Sequence, residues 1–335
     1  MIHVAMVLTV KNEARLLRSN LLYHHAIGIR HVFVYFDNTT DSGKTSIQDL
    51  DFVTIQDSLS PNTFLHVPFL EKFTSKATEH HTARQCLHTY DALRKSEVMG
   101  IDWLISIDAD ELVCTIKDSP SRVQPFFETV EPSVDLVYLK TLEVLSQRVE
   151  YNSIFSEETL FKTQPAFGNR FKNITKKVYN PATKKQQRYS YWFGQHLGKG
   201  AVRVGRNIIP HNVHRYVKKD GTKPNSIKKG YVLHYHAYDA PDFIKKFTNF
   251  SNRPTTFLSG TSVNSLKLLL REIVNNSGMK QDELYAYFKQ NLLFSQKEVK
   301  YLKKNKYLGF FSRTPAPLTE ITSVQQVFDK YLHNL

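Results

Sequence analysis

The sequence predicts an α/β fold, a mostly parallel sheet flanked by helices, followed by a helical C-terminal appendage. Three observations lead there. Strand-like and helix-like segments alternate through residue 113, the pattern of right-handed βαβ units. Residues 103–113 (WLISIDADELV) form an apolar run of the kind that lies in the middle of a parallel sheet, covered on both faces. Beyond about residue 261 the apolar positions take a helical spacing, with Leu266, Leu269, Leu270 and Ile273 on one face.

In chain order, residues 3–10 read as the first strand, and the following helix carries Leu16, Leu17, Leu21 and Ile27 on one stripe before Gly28 stops it. Residues 31–36 (HVFVYF) form the second strand, with Asp37-Asn38 at its carboxyl end, and residues 52–56 the third. A long helix over 76–99, with Ala83, Leu87, Tyr90 and Leu93 along one stripe, leads into the 103–113 run. Residues 135–144 form another strand. An irregular, aromatic and basic tract then extends to about Gly230 and contains Phe167-Gly168-Asn169-Arg170, Lys176-Lys177 and Gly198-Lys199-Gly200. Long tracts of that kind usually carry function. Residues 231–235 (YVLHY) form a last strand, placing His234 and His236 on one face by the two-residue period. Helices follow at the C-terminal end, one opened by the capping-box spacing Ser295 to Glu298.

The chemistry concentrates at the end of the 103–113 run. Asp108, Asp110 and Glu111 cannot stay ionised inside a sheet, so they belong just past the strand end, where open α/β sheets bind ligands. Two carboxylates there suit Mg²⁺ or Mn²⁺, with phosphates and waters completing the shell. Asp49-Leu50-Asp51 repeats the spacing but precedes its strand, the wrong end. Asp41-Ser42-Gly43-Lys44-Thr45 looks like the tail of a phosphate-binding P-loop, yet Asn38 stands where the first glycine is needed.

With 335 residues, the chain is long enough for one large domain plus an appendage. Two cysteines, Cys86 and Cys114, supply no disulfide framework and fit a reducing compartment. The expected setting is the cytoplasm, with peripheral contact at a membrane surface: the N-terminal apolar run is too short for a typical signal peptide, and no run of about 18 apolar residues occurs. Charge is uneven. Residues 1–150 hold 14 Lys and Arg against 20 Asp and Glu, net −6, whereas the rest hold 31 against 11, net +20. The basic half is expected to meet something anionic, an acceptor or the headgroups around it, with Lys300, Lys303, Lys304 and Lys306 near Tyr301, Tyr307, Phe310 and Phe311 as the most interface-like segment.

Taken in order, Thr9-Val10-Lys11-Asn12-Glu13 at the first strand end, Asp37-Asn38 at the second, DWLISIDADEL and a late HYH resemble a GT-A glycosyltransferase of the family 2-like and family 92-like groups, over about residues 1–250. The resemblance implies a Rossmann-like GT-A domain over 1–250, with 1–113 binding a nucleotide sugar and 114–250 facing the acceptor, and a helical appendage over 251–335. It implies metal-dependent, inverting transfer of a sugar from a nucleotide diphosphate donor to a hydroxyl of a glycan or lipid-linked acceptor, as in polysaccharide or lipopolysaccharide biosynthesis. Asp108, Asp110 and His234 would hold Mn²⁺ or Mg²⁺, His236 being the rival of His234. Thr9, Asn12, Glu13, Asp37, Arg84, Gln85 and Asp108 would meet the donor. No acidic pair follows at the usual distance for a base, leaving Glu143 and Asp239 as the catalytic carboxylates. The alternatives are a nucleotidyltransferase, which also uses paired carboxylates, and a nucleic-acid-binding protein. The second is disfavoured because the basic residues are scattered without a known motif.

Overall fold

The computed structural model describes residues 1–163, 197–263, 265–303, 306–307, 313–314 and 318–332. The first half contains β1 (Val4–Val10), α1 (Ala14–Ala26), β2 (His31–Phe36), β3 (Val53–Asp57), α2 (Glu71–Thr74), α3 (His81–Val98), β4 (Trp103–Ser106), β5 (Glu111–Cys114) and α4 (Val123–Glu128). Next come β6 (Leu136–Val144), α5 (Ile154–Glu157), β7 (Leu160–Lys162), β8 (Lys199–Arg203), β9 (Ile208–Asn212), β10 (Arg215–Lys218) and β11 (Ser226–His234). The C-terminal part supplies α6 (Ala240–Asn249), α7 (Ser265–Asn276), α8 (Gln281–Asn291), α9 (Gln296–Leu302), β12 (Lys306–Tyr307), β13 (Arg313–Thr314), β14 (Leu318–Glu320) and α10 (Ser323–Tyr331).

Among the described residues, ten strands form one sheet, ordered β14-β7-β6-β8-β4-β1-β2-β3, with β11 paired to β6 and β5. Strands β3, β2, β1 and β4 are parallel, as the alternating pattern requires. Both faces of β1 are buried: Val4, Met6, Leu8 and Val10 enter one core and Ala5 and Val7 the other, which is why the strand is apolar throughout. Past β4 the pairings become antiparallel, except β6 with β11. The parallel expectation thus holds for the first half, where a helix follows β1 and precedes β4. In the second half short links join β8, β9, β10 and β11 and let the chain reverse.

Two expectations about local structure change. The 103–113 run is two strands, not one, because the chain turns at 107–110 and carries Asp108 and Asp110 out of the ladder, with Glu111 N–H bonded to Asp108 O at 3.0 Å. The described part of the tract before Gly230 is largely β8, β9, β10 and the start of β11; its Phe167-Gly168-Asn169-Arg170 and Lys176-Lys177 segments lie outside the described residues.

Helices α6, α7 and α8 bury a core of their own around Phe243, Phe247, Leu270, Phe288 and Leu292. The capping box opening α9 is formed, Ser295 Oγ accepting from Glu298 N–H at 3.3 Å while the Glu298 carboxylate accepts from Ser295 N–H at 2.8 Å. Residues 318–332 are not a free appendage. Strand β14 extends the sheet beyond β7, and α10 sinks Val324, Val327 and Phe328 into the main core, Phe328 stacking on Tyr23 at 6.0 Å. Of the basic segment expected at an interface, Lys300 and Lys303 are exposed; Lys304, Phe310, Phe311 and the side chains of Lys306 and Tyr307 are outside the described set. No helix among the described residues is long and apolar enough to cross a membrane.

Candidate active site

The acidic turn is held from below by polar residues of α1 that the apolar stripe conceals. Asn20 is fully buried and donates to the carbonyls of Ala109 at 3.0 Å and Glu111 at 2.7 Å. Tyr23 Oη donates to Val113 O at 2.9 Å, and His24 Nε2 accepts from Val113 N–H at 3.1 Å while its Nδ1–H donates to Asn20 O. These bonds satisfy one edge of β5, whose other edge pairs with β11. Burial keeps His24 neutral, pushing its pKa down to about 3.

Above the turn, each carboxylate meets a cation. Lys199, 3% exposed along its side chain, places its ammonium 2.8 Å from Asp108 Oδ2 and 3.2 Å from Glu111 Oε2. Burial alone would lower the Lys199 pKa, but the two acids outweigh it and raise it. The flanking glycines bring this lysine in: Gly198 has φ +70°, and a Cβ at Gly200 would lie 2.4 Å from Tyr216 Cε2. Gln85 Nε2 bonds Asp108 Oδ1 at 2.7 Å, so both oxygens of Asp108 are oriented, with a third of the side chain exposed. Asp110 is contacted by the ammonium of Lys246, and His234 Nε2 lies 3.5 Å from Asp110 Oδ2. Burial would push Asp110 up, yet Lys246 and His234 hold it well below the usual carboxylate range. His234 is pushed up to about 9, because Asp110, Glu143 and Glu111 together outweigh the lowering effect of burial. Glu111, fully buried, is raised to about 7 by desolvation despite Lys199.

Asp110, His234 and His236 bring one ligand atom each within 4.8 Å of one another. Of the expected ion ligands, Asp110 and His234 lie in this cluster together with His236, just past the end of β11; Asp108, on the same turn, is met by Lys199 and Gln85 as Asp110 is by Lys246. A carboxylate with two imidazoles is a donor set for a divalent transition ion and favours Mn²⁺ over Mg²⁺. Burial beside Lys246 and His234 keeps His236 neutral, the form that ligates. The ammonium of Lys246 against Asp110 marks the spot as one where the protein already places positive charge.

The other expected residues divide. Asp37, fully buried at the end of β2, accepts from Arg84 Nε at 2.7 Å and Nη2 at 2.9 Å and from His81 Nδ1. Those bonds overcome burial and keep Asp37 below the usual range. Arg84, expected at a phosphate, also donates to Ala77 O, so its guanidinium is engaged with the protein. Thr9 bonds His88 Nδ1 at 2.8 Å; His88 Nε2 accepts from Leu59 N–H, so the imidazole is neutral with its proton on Nδ1. Asn12, at φ 55°, bonds Asn249 and Thr40 and ties the end of β1 to α6. Glu13 meets Lys245 at 2.6 Å, and burial raises its pKa to about 7.

Asp239, expected as a catalytic carboxylate, is fully buried; it caps α6 by accepting from Asp242 N–H at 2.9 Å, pairs with Arg15 at 2.9 Å and accepts from Tyr151 N–H. Both decoys lie on the surface: Asp49 pairs with Arg18, Lys44 with Asp57, and Asp41 caps α1 through Ala14 N–H at 2.8 Å. Nothing in the local sequence marks Lys246 as a neighbour of the acidic turn, and Lys199 is marked only by the glycines on either side of it.

The fold is an α/β sheet with an acidic turn at the carboxyl end of β4 and two histidines from late in the chain beside it. The model of glycosyltransferase family 92 matches residues 5–266, and the chain belongs to that family. Two glycosyltransferase-like proteins of Arabidopsis thaliana are similar to it. One is 23% identical over 249 residues, covering 70% of this chain and 54% of that protein; the other is 20% identical over 318 residues, covering 91% and 60%. The chain thus spans little more than half the length of these relatives. Among solved structures, glucosyl-3-phosphoglycerate synthase from Mycobacterium tuberculosis in complex with Mn²⁺, uridine diphosphate and phosphoglyceric acid is similar at 12% identity over 62% of this chain and 57% of that one, with a TM-score of 0.27. Residues 1–349 of S. aureus TarS are similar at 12% identity over 90% and 77%, with a TM-score of 0.28.

Proposed function

We propose that the chain transfers a sugar from a nucleoside diphosphate donor to an acceptor hydroxyl, with Asp110, His234 and His236 holding a divalent ion, Mn²⁺ in preference to Mg²⁺. The convergence of those three ligand atoms beside the acidic turn supports this most directly. When bound, the ion would supply Lewis-acid stabilisation of the leaving diphosphate. The chain's own residues do the rest. Asp108, with both oxygens oriented by Gln85 and Lys199 and its side chain partly open, is placed to accept from a donor hydroxyl. Lys246 neutralises Asp110 and stays at hand as a cation for phosphate oxygens. Asp37, fixed by Arg84 and His81, shapes the floor of the nucleoside side. The net charge of +20 after residue 150 favours an anionic acceptor or one embedded among anionic headgroups.

The test is turnover of a panel of nucleoside diphosphate sugars, with chelator and with Mn²⁺ restored. Hydrolysis or transfer is expected to require the ion and to fall by at least about 100-fold in Asp110→Asn, since an amide gives a weaker field than a carboxylate. Full turnover in chelator, or in that variant, would refute it.

A further inference from the structure

Adjacent strands set four ionisable side chains in one row. Glu143 lies opposite Lys162 in the β6–β7 pairing, His234 opposite Glu143 in the β6–β11 pairing, and Glu111 opposite His234 in the β5–β11 pairing. Residues directly opposite share a face of the sheet, so Lys162, Glu143, His234 and Glu111 cross four strands with alternating charge. All four are buried. Desolvating a row of that kind is costly unless the charges are mutually oriented, and from Lys162 to His234 the separations show that they are, while Glu111 turns to Lys199 at 3.2 Å and Asp110 takes its place beside His234. Lys162 Nζ lies 3.6 Å from Glu143 Oε2, Glu143 Oε1 lies 3.4 Å from His234 Nδ1, and His234 Nε2 lies 3.5 Å from Asp110 Oδ2.

The two imidazole nitrogens of His234 therefore have different neighbours. Nε2 faces the cluster formed with Asp110 and His236. Nδ1 is buried, faces Glu143 and makes no hydrogen bond among the described residues. A shift of about 0.5 Å brings the pair into hydrogen-bond range. Histidines that ligate metals almost always donate their second ring N–H to a carboxylate, carbonyl or water, which fixes the tautomer and raises ligand basicity.

We propose that Glu143 is a positioning residue for His234, accepting Nδ1–H at Oε1 so that, once the Nε2 proton has left to solvent, the Nε2 lone pair would be presented to the ion, while Lys162 anchors the other carboxylate oxygen. Glu143 then does not take the acceptor's proton, the role its sequence position suggested. This rests on the ion site proposed above.

The experiment is direct Mn²⁺ binding, read as free Mn²⁺ by electron paramagnetic resonance without any donor, for the parent, Glu143→Gln and Glu143→Ala at a temperature where each is folded. Glu143→Ala is expected to weaken Mn²⁺ binding about 10- to 100-fold. Glu143→Gln keeps an acceptor oxygen without the charge and is expected to fall between, at least about threefold weaker than the parent. A merely structural ion-pair row would lower the melting temperature in both variants and leave Mn²⁺ affinity at the parental value, and that result overturns the proposal even if only Glu143→Gln folds. A parent that binds no Mn²⁺ overturns the ion site and the positioning role together; a parent that binds with both variants unchanged overturns the positioning role alone.

Discussion

At the scale of single residues, the site is a set of buried carboxylates each assigned a cation, and Lys199 shows how much depends on one pairing. Its ammonium serves both Asp108 and Glu111. Replacing it in Lys199→Met leaves two carboxylates without their partner, and removal of one member of a buried ion pair costs about 3–5 kcal/mol. The cost is expected to be larger at pH 8 than at pH 6, because Glu111, already raised to about 7, relieves the strain by protonating. Urea denaturation at the two pH values measures it, and a loss below about 1 kcal/mol at pH 8 would count against the pairing. What the sequence disclosed at this scale was the carboxylates and the late histidines, whose types limit what they can do in a strand-end setting. It could not disclose which cation meets which acid. The bonds of Asp37 to Arg84 and His81, more than forty residues on, and those of Asp239 to Arg15 and Tyr151 leave no trace in the local sequence.

At the scale of elements, α1 carries two messages and only one was legible. Leu16, Leu17 and Leu21 announce its apolar face, whereas Asn20, Tyr23 and His24 look like ordinary interruptions and in fact complete the edge of β5. Periodicity detects apolar contact and is blind to buried polar bonds. The substitution Asn20→Leu, which keeps the branched heavy-atom skeleton, would leave the carbonyls of Ala109 and Glu111 buried without this donor, at about 1–3 kcal/mol per lost partner. A lower denaturation midpoint with weaker Mn²⁺ binding is expected, since the same bonds hold the turn bearing Asp110; unchanged values of both would show that α1 does not set the turn. The break between β4 and β5 was hidden for a related reason: apolar residues on both sides of Asp108 and Asp110 made one run of two strands.

At the scale of the whole molecule, the parallel pairings of β1 with β2 and β2 with β3 were readable because they join neighbours in sequence, while β1 with β4, β6 with β8 and β6 with β11 pair across large sequence separations that no local pattern encodes. The buried titratable groups give the molecule a characteristic acid response. His24, His88 and His214 are held neutral with pKa values of about 3, against an ordinary 6.5, so their stabilising preference is complete above about pH 6.5 and is lost as pH falls towards 3. Glu13 and Glu111, raised to about 7 from 4.5, act oppositely and add stability as pH falls from 7 to 4.5. Each group changes stability by about 1.4 kcal/mol per pH unit. His81 and His236 are lowered too and Glu158 is raised, so the net is a loss as pH falls that steepens below about pH 4.5, when the glutamates no longer compensate. Urea midpoints taken in chelator from pH 7 to 3.5 should show that break, and a flat profile below pH 4.5 would contradict it. Helices and sheet together bring Asp110 of the acidic turn beside His234 and His236 at the end of β11, the cluster on which the proposed function rests. The most direct measurement is Mn²⁺ affinity in His236→Ala and Asp108→Asn side by side. Loss of at least about tenfold in the histidine variant, with the Asp108 variant near the parent, is the predicted result; loss in Asp108→Asn with parental affinity in His236→Ala would contradict it.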